Sequence, residues 1–359
     1  MAPHAFRLIR LAVVTVAILV SCQSREPTIQ VGDSQALAGG PEQRRPIEAY
    51  LAMHPHDPAH LLGAAMTSVV TADVREMLAA LTCSTFLSRD GGRTWHGHEF
   101  PVTQCLDPWV TITLDGHAVF TAFAGPGSAL VVFTSNDGGV KWAEASDTLG
   151  VSHDHPTRVA DRSSADRASV YVVSSHTIDE GGDHRARVLQ VARSTDSGET
   201  FEPPVHLRPS DLDHYAEVPV VLSDGTLVVS YVESTDSDGE YLPRRRAWVI
   251  RSTDGGRSFS DATLVNDACG PPYRLSWLAV DASDGPFRDR LYFACNLPGE
   301  SGVVLNHSGE NDASWSEPVL VHTAPADSAI RRKVMALAVN GDGHCLGRCS
   351  PRTGRSHVL

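Results

Sequence analysis

The chain has 359 residues, a formal net charge of −13 at pH 7 and 42% apolar residues. A chain of this length and apolar content can bury a large core. Its acidic balance argues against a nucleic-acid-binding protein, which needs a basic face.

The first 21 residues have the pattern of an export signal. Arg7 and Arg10 precede an apolar stretch, Leu11–Val20, that is too short to span a bilayer as a helix. The stretch ends in Leu-Val-Ser-Cys, which resembles a bacterial lipobox, so we expect cleavage before Cys22 and acylation of that residue. The alternative is an ordinary cleaved signal peptide that leaves Cys22 as a thiol. We therefore expect an exported, lipid-anchored protein of the cell envelope, at the outer membrane or cell surface.

Three further segments follow the signal peptide. Residues 22–46 join the lipidated Cys to a tether rich in Gln, Gly, Pro and Ser. Residues 47–343 carry the main domain, and residues 344–359 form an atypical tail with little apolar alternation. We hypothesise that this tail is a premature or frame-altered end.

Short strand signals, several of them joined by Asp-Gly turns, run through the whole main domain. Only Asp73–Leu81 has helical periodicity. In chain order the predicted strands are Ile47–Met53, Leu61–Val70, Thr85–Leu87, Trp109–Leu114, His117–Phe123, Leu130–Thr134, Thr157–Ala160, Ser169–Ser174, Val188–Arg193, Val218–Leu222, Thr226–Val232, Ala247–Arg251, Leu275–Val280, Arg290–Ala294, Val303–Leu305 and Lys333–Asn340.

An eight-residue pattern, Ser-x-Asp-x-Gly-x-x-Trp/Phe, recurs along these strands. Complete copies start at residues 88, 135, 194 and 252, and a degraded copy starts at residue 308, so the starts lie 47 to 59 residues apart. Self-similarity at such a period indicates a repeat architecture. The defining residues are Ser88, Asp90, Gly92, Trp95, Ser135, Asp137, Gly139, Trp142, Ser194, Asp196, Gly198, Phe201, Ser252, Asp254, Gly256 and Phe259.

The residue types in this pattern are suited to a hairpin turn. The Asp carboxylate can accept hydrogen bonds from backbone N–H groups of the turn. The Gly supplies a positive φ angle, and the aromatic ring can fold back over the hairpin. We therefore expect these positions to stabilise turns and to have no catalytic role.

The pattern is that of the Asp box, also called the bacterial neuraminidase repeat, and the chain resembles sialidase-superfamily β-propellers. The resemblance implies an all-β fold, a six-bladed β-propeller of four-stranded antiparallel blades. The sixth blade, opening at Lys333–Asn340, is expected to be incomplete. Asp boxes also occur in propellers that bind glycans or proteins without catalysis, so the resemblance leaves the activity open.

The catalytic residues that the resemblance implies are poorly matched. Sialidases need three arginines on the sugar carboxylate, an acid/base Asp and a Tyr activated by a Glu. Their Arg-Ile-Pro signature is missing, since the chain offers only residues 45–47 in the order Arg-Pro-Ile. The remaining catalytic candidates lie before the first strands of two blades, where ordinary loop residues are the alternative: Tyr215, Glu217, Tyr273 and Arg274.

Six cysteines follow the lipobox, and export makes disulfides plausible. We favour the pairs Cys83–Cys105 and Cys269–Cys295, because the members of each pair lie in or between neighbouring predicted strands. The last two cysteines, in the tail, lack the second ligand pair that a zinc site needs.

Histidines and acidic residues raise the alternative of a metal site. We expect the histidines to be solvated loop residues, and Asp236–Glu240 to be a turn that lacks the full calcium-loop spacing. No metal or other cofactor is therefore predicted. The histidines concerned are His153, His155, His176, His184 and His214.

The sequence leaves several functions open. The hypothesis we favour is that the protein is a surface-anchored, non-catalytic module that binds a glycan or an envelope protein. The alternative is a glycoside hydrolase of the exo-α-sialidase type with a diverged active site, and an inactive remnant of a truncated gene is a third. The expected partners are a membrane, through the N-terminal lipid, and a glycan or protein ligand, but no nucleic acid.

Overall fold

The computed structural model describes residues 44–69, 71, 73–144, 149–151, 153–164, 168–181, 184–233, 245–270, 276–298, 302–309, 314–323, 334–339, 345–349 and 357–358. The lipobox, the tether before residue 44, the Asp236–Glu240 turn, and the candidates Tyr273 and Arg274 lie outside these residues. Among the described residues no helix is long and apolar enough to cross a membrane.

The protein is an all-β propeller of antiparallel blades. Blade 1 consists of β1 (Arg44–His54), β2 (Asp57–Val69), β3 (Thr82–Ser88) and β4 (His96–Glu99). Blade 2 consists of β5 (Leu106–Ile112), β6 (Ala118–Ala124), β7 (Ala129–Ser135) and β8 (Ala143–Glu144). Blade 3 consists of β9 (His153–Ala160), β10 (Val170–Gly181), β11 (His184–Ser194) and β12 (Val205–Leu207).

The chain continues into two more blades. Blade 4 consists of β13 (His214–Ala216), β14 (Val220–Val221), β15 (Leu227–Glu233), β16 (Arg245–Ser252) and β17 (Thr263–Cys269). Both β13 and β14 pair with β15, so together they form the first strand of that blade. Blade 5 consists of β18 (Trp277–Val280), β19 (Leu291–Asn296), β20 (Gly302–His307) and β21 (Val319–Thr323).

The prediction of six blades is wrong, because the described residues form five. The segment expected to open a sixth blade and the predicted tail together form a three-stranded sheet, of β22 (Val334–Val339), β23 (Cys345–Cys349) and β24 (His357–Val358). This part of the chain carries no Asp box, the hairpin that joins the last two strands in each of blades 1 to 4. Leu337 of β22 packs against Ala279 and Tyr292 of blade 5.

The middle strands of the blades are buried on both faces. All seven residues of β6 and of β15 are buried, and so are all six of β19. Such strands are continuous apolar runs because both sheet faces pack against neighbours. Outer strands such as β4, whose sequence is His-Gly-His-Glu, are mostly exposed.

The first strand of each blade is the innermost. These strands contact one another in succession: β1 with β5, β5 with β9, β9 with β13, and β14 with β18. The rings of Tyr50 in blade 1 and Trp277 in blade 5 lie 6.2 Å apart, so the first and fifth blades also meet at this axis.

Each complete Asp box is a hydrogen-bonded clasp. In blade 1 Ser88 Oγ donates to Asp90 Oδ1 at 2.8 Å and accepts from Gly92 N at 2.8 Å. The Thr94 hydroxyl and the backbone N–H groups of Thr94 and Arg93 also donate to the Asp90 carboxylate, and they hold its pKa well below the usual range. The same Ser–Asp bond measures 2.8, 2.7 and 2.8 Å in the boxes of blades 2, 3 and 4.

The clasps also join neighbouring blades. Gly139, in the box of blade 2, packs closely against Leu62 of blade 1. Any larger residue at position 139 would place its Cβ atom 2.9 Å from Leu62 Cδ1, which is too close. In the same contact Arg89 Nη2 donates to Asp137 O at 2.7 Å, and His60 Nε2 donates to Gly138 O at 2.8 Å. The boxes of blades 2, 3 and 4 thus each pack against the blade before them.

Two disulfides and one short helix complete the described fold. Cys83 is bonded to Cys105 and Cys269 to Cys295, which are the pairs favoured from the sequence. The helix α1 (Val74–Ala79) begins after Asp73, whose carboxylate accepts from Arg75 N at 2.8 Å.

Candidate functional site

Three inner strands are interrupted at equivalent positions by a residue with left-handed backbone. These residues are Glu48 in β1, Asp107 in β5 and His155 in β9, with φ angles of 52°, 48° and 54°. The strand register shifts at each of them, which marks a β-bulge. A strained residue of this kind costs about 1–3 kcal/mol and is common at functional sites.

Strand direction places these bulges at one face of the propeller. Strands alternate in direction within a blade, so the turns after strands one and three lie at the same face. The Asp boxes occupy the turn after strand three. The beginnings of the inner strands therefore lie at the opposite face, which we call the axial face.

The axial cluster is the group of side chains that meet there: Glu48, Tyr50, Asp107, Trp109, His155, Glu217 and Trp277. Glu217 belongs to it because it occupies the gap between β13 and β14, the position in blade 4 that corresponds to the bulges. The cluster thus draws on all five blades.

Glu48 and Asp107 form a carboxyl pair. The Glu48 residue is exposed overall, although neighbouring protein atoms partly bury its carboxyl group. This burial, followed by a hydrogen bond with Asp107 and repulsion from its charge, raises the pKa of Glu48 to about 8. Glu48 therefore carries a proton at neutral pH and can donate it.

Glu217 is the second carboxyl group with a raised pKa. Its side chain is 3% exposed, and the Ser276 backbone N–H and hydroxyl donate to its two oxygens at 3.2 and 3.3 Å. Burial raises the pKa of Glu217 to about 7, against the opposing charges of His155 and Arg245.

His155 is the cationic member of the cluster. Its Nδ1–H donates to the carbonyl oxygen of Ala216 at 2.8 Å. Burial alone would lower its pKa, but the carboxylates of Glu217 and Asp107 and this hydrogen bond raise it. The charged forms of His155 and Glu217 therefore stabilise each other.

Three aromatic rings lie beside the carboxyl groups. Tyr50 and Trp109 are 3.9 Å apart between ring centroids, and Trp109 and Trp277 are 5.7 Å apart. Each of Tyr50 and Trp109 follows its bulge residue by two positions, so the rings lie one step further along the inner strands than Glu48 and Asp107. The cluster thus has a carboxyl layer and an aromatic layer.

Two arginines near the cluster, Arg187 and Arg245, interact with other groups of the protein. Arg187 Nη1 pairs with Asp154 Oδ2 at 3.2 Å, and its guanidinium lies 4.2 Å from the ring centre of Tyr215. Arg245 donates through Nε to Gly270 O. Of the four residues predicted as catalytic, the structure brings Glu217 into the cluster, places Tyr215 under Arg187, and does not describe Tyr273 and Arg274.

Sequence reasoning missed Glu48, Asp107, Trp109, Tyr50 and Trp277, and it treated His155 as a loop residue. A signal was present: the pattern of a polar residue, any residue and an aromatic occurs as Glu-Ala-Tyr at 48–50 and as Asp-Pro-Trp at 107–109. Both copies begin an inner strand, which is recognisable only once the blades are aligned.

Two of the histidines considered for a metal site, His153 and His176, lie close together. Rings of His153 and His176 lie 4.7 Å apart, and His206 stacks on His176 at 5.0 Å. His153 is 5% exposed and its pKa is lowered to about 4, chiefly by burial, while His214 is fully buried. The prediction that these are solvated loop histidines is thus wrong for His153 and His214. Within the described ranges no group of three metal-ligating side chains is present, and the His184 side chain is outside them.

A cleft of about 190 Å³ lies at the Asp-box face between blades 2 and 3. It is lined by His117, Asn136, Lys141, Trp142 and Glu199, among others. We place the candidate site at the axial cluster instead, because the carboxyl groups with raised pKa values meet there and not in the cleft.

Comparison with known proteins supports the fold. A model of the BNR repeat-like domain matches residues 63–237. No curated protein sequence matches the chain. With its Asp boxes and its blades, the chain has a β-propeller fold similar to that of sialidases.

Three solved structures illustrate the likeness. A protein of unknown function from Dyadobacter fermentans is 14% identical with a TM-score of 0.54, over 89% of this chain and 94% of that one. The NanB sialidase of Streptococcus pneumoniae is 10% identical with a TM-score of 0.58, over 92% of this chain and 68% of that one. An α-L-arabinanase of Penicillium chrysogenum is 15% identical with a TM-score of 0.54, over 86% of this chain and 91% of that one. Identities this low show the fold alone.

The carboxyl pair gives a direct prediction. In Asp107→Asn the pKa of Glu48 falls, because a charge that repels its carboxylate is removed, yet it stays above the ordinary value because burial remains. The pKa of Glu48 is measured by carbon-13 NMR titration of labelled Glu side chains. Asp154→Asn is the control, since Asp154 contributes least to this shift. Equal shifts in the two variants would contradict the assignment of the pair.

Proposed function

We propose that the axial cluster binds an uncharged glycan. The observation that carries the proposal is the two-layer arrangement, in which the rings of Tyr50, Trp109 and Trp277 lie beside the carboxyl groups of Glu48 and Asp107. Sugar rings bind to aromatic faces, and their hydroxyl groups need oriented acceptors and donors. The arabinanase with a similar fold was solved in complex with arabinobiose, an uncharged disaccharide.

The charge of the cluster is what favours an uncharged ligand. Glu48 is protonated at neutral pH, and the carboxylates of Asp107 and Glu217 outnumber the one cationic member, His155. Arg187 is paired with Asp154, so it is not available for a sugar carboxylate. A sialic acid would bring a further negative charge into this cluster, which is unfavourable in a site with little water.

Sialidase-type nucleophilic attack also fits the cluster poorly. Tyr50 is its described tyrosine, and burial raises the pKa of Tyr50, with further rises from Glu48, Asp107 and Glu217. A tyrosine nucleophile needs the opposite shift, because the phenolate is the attacking form. Binding of a neutral sugar makes no such demand.

Binding is tested by titrating the full chain with arabinobiose, xylobiose and cellobiose, and with sialyllactose as the anionic probe. We expect binding of at least one neutral sugar and none of sialyllactose. Trp277→Ala should weaken that binding about fivefold to tenfold, since stacking contributes about 1–1.4 kcal/mol. Trp95→Ala is the matched control, because Trp95 lies on an Asp-box turn and donates to Gly92 O. Tighter binding of sialyllactose, or equal losses in both variants, would refute the proposal.

Hydrolysis of the bound glycan is the second candidate function, and the raised pKa of Glu48 favours it. Glycosidases use one protonated and one ionised carboxyl group on either side of the bond, at least about 5 Å apart. The hydrogen-bonded Asp107 is too close to Glu48 for this arrangement. Glu217 is therefore the partner carboxylate, with Glu48 as the acid.

Hydrolysis is tested with Glu48→Gln and a panel of neutral aryl glycosides. We expect kcat to fall about 10²–10⁴-fold while sugar affinity is kept, because the amide cannot donate the proton. Wild-type activity should be highest between about pH 7, below which Glu217 gains a proton, and about pH 8, above which Glu48 loses its own. Binding without turnover in the wild type would leave the protein a glycan-binding module and eliminate the enzyme.

We also propose that the propeller is held at the cell envelope by an acyl chain on Cys22. The support is the lipobox-like sequence that ends at this residue. In Cys22→Ser the exported protein should move from the membrane fraction to the soluble fraction, measured by fractionation and immunoblot. Wild-type protein found only in the soluble fraction would contradict anchoring.

A further inference from the structure

Arg158 is a buried cation between blades 2 and 3. It lies on the inner strand β9, and 3% of the residue is exposed. Burial lowers its pKa, with no opposing contribution from a nearby carboxylate. The guanidinium nevertheless stays protonated at neutral pH, as arginine does in proteins.

Only one of the three guanidinium nitrogens of Arg158 has a hydrogen-bond acceptor. Nη1 donates to the hydroxyl of Thr121 in blade 2. Nε and Nη2 are buried and have no hydrogen-bond acceptor. These two nitrogens lie on the same edge of the planar group, so their N–H bonds point side by side, as in the arginine forks that bind anions.

Two other arginines in the described part of the chain differ from Arg158. Arg162 Nη2 donates to the carbonyl oxygens of Ile112 at 2.8 Å and Met53 at 3.3 Å. Arg245 donates to Gly270 O and is stabilised by the charge of Glu217. Arg158 has neither two protein acceptors nor an opposite charge.

We propose that the Nε–Nη2 edge of Arg158 binds a small monovalent anion, of chloride size, between blades 2 and 3. A buried charge without a counter-charge is strongly destabilising. A single anion removes this penalty and accepts both N–H groups, whereas a water molecule would leave the charge uncompensated. Thr121 and Val172, beside Arg158, are 0% and 1% exposed, which favours an ion over a larger ligand.

Thermal unfolding of the full chain tests the site. The protein is prepared without halide and compared in sodium chloride, bromide or gluconate at equal ionic strength. We expect Tm to be about 5 °C higher in chloride at a hundredfold excess over its Kd, with saturation, because the ion binds only the folded state. Gluconate is too large for the site and should give no such rise.

Two variants separate this site from a general salt effect. Arg158→Met should give the same Tm in chloride and gluconate, since the fork is gone. Arg162→Met, which removes an arginine whose guanidinium has protein acceptors, should keep the chloride dependence.

Anomalous X-ray diffraction from crystals grown in bromide tests the site in the wild-type protein. This measurement keeps the proposal testable if Arg158→Met does not fold. Crystals grown in bromide should show an anomalous peak within about 3.5 Å of Nε and Nη2. A water molecule in that position, or equal wild-type Tm values in chloride and gluconate, would overturn the proposal.

Discussion

The hydrogen bond between the Ser hydroxyl and the Asp carboxylate of each Asp box is the interaction on which the rest of the structure depends. It is 2.7 or 2.8 Å long in all four complete boxes. The bond closes the hairpin between the last two strands of a blade. Since the box loop of blade 2 also packs against Leu62 of blade 1, the same clasp sets the spacing between these blades. Blade spacing in turn determines how closely the inner strands approach one another at the axis.

The inner strands supply the residues of the candidate site. Left-handed residues at Glu48, Asp107 and His155 bring polar groups together at the axial face, at a cost in backbone strain. Crowding then raises the pKa values of Glu48 and Glu217 into the neutral range. A scaffold held by turns at one face thereby supports groups at the other face that exchange protons near pH 7.

The sequence predicted the scaffold much better than the site. The boxes identify the fold because each is a local motif whose hydrogen bonds span only a few residues. His155 and Glu217, in contrast, are 62 positions apart in the chain, and only the radial packing of blades makes them neighbours. Six blades were expected because a strand signal continues past residue 333, yet that segment forms a three-stranded sheet with no clasp. The solvent exposure of the histidines also depends on packing, which explains the error for His153.

A crystal structure of the full chain soaked with a neutral disaccharide, such as arabinobiose, tests the central claim most directly. The account predicts a sugar ring against Trp277, with hydroxyl groups within hydrogen-bond distance of Glu48 or Asp107. Sugar density at the Asp-box face, with none at the axial cluster under saturating conditions, would contradict it.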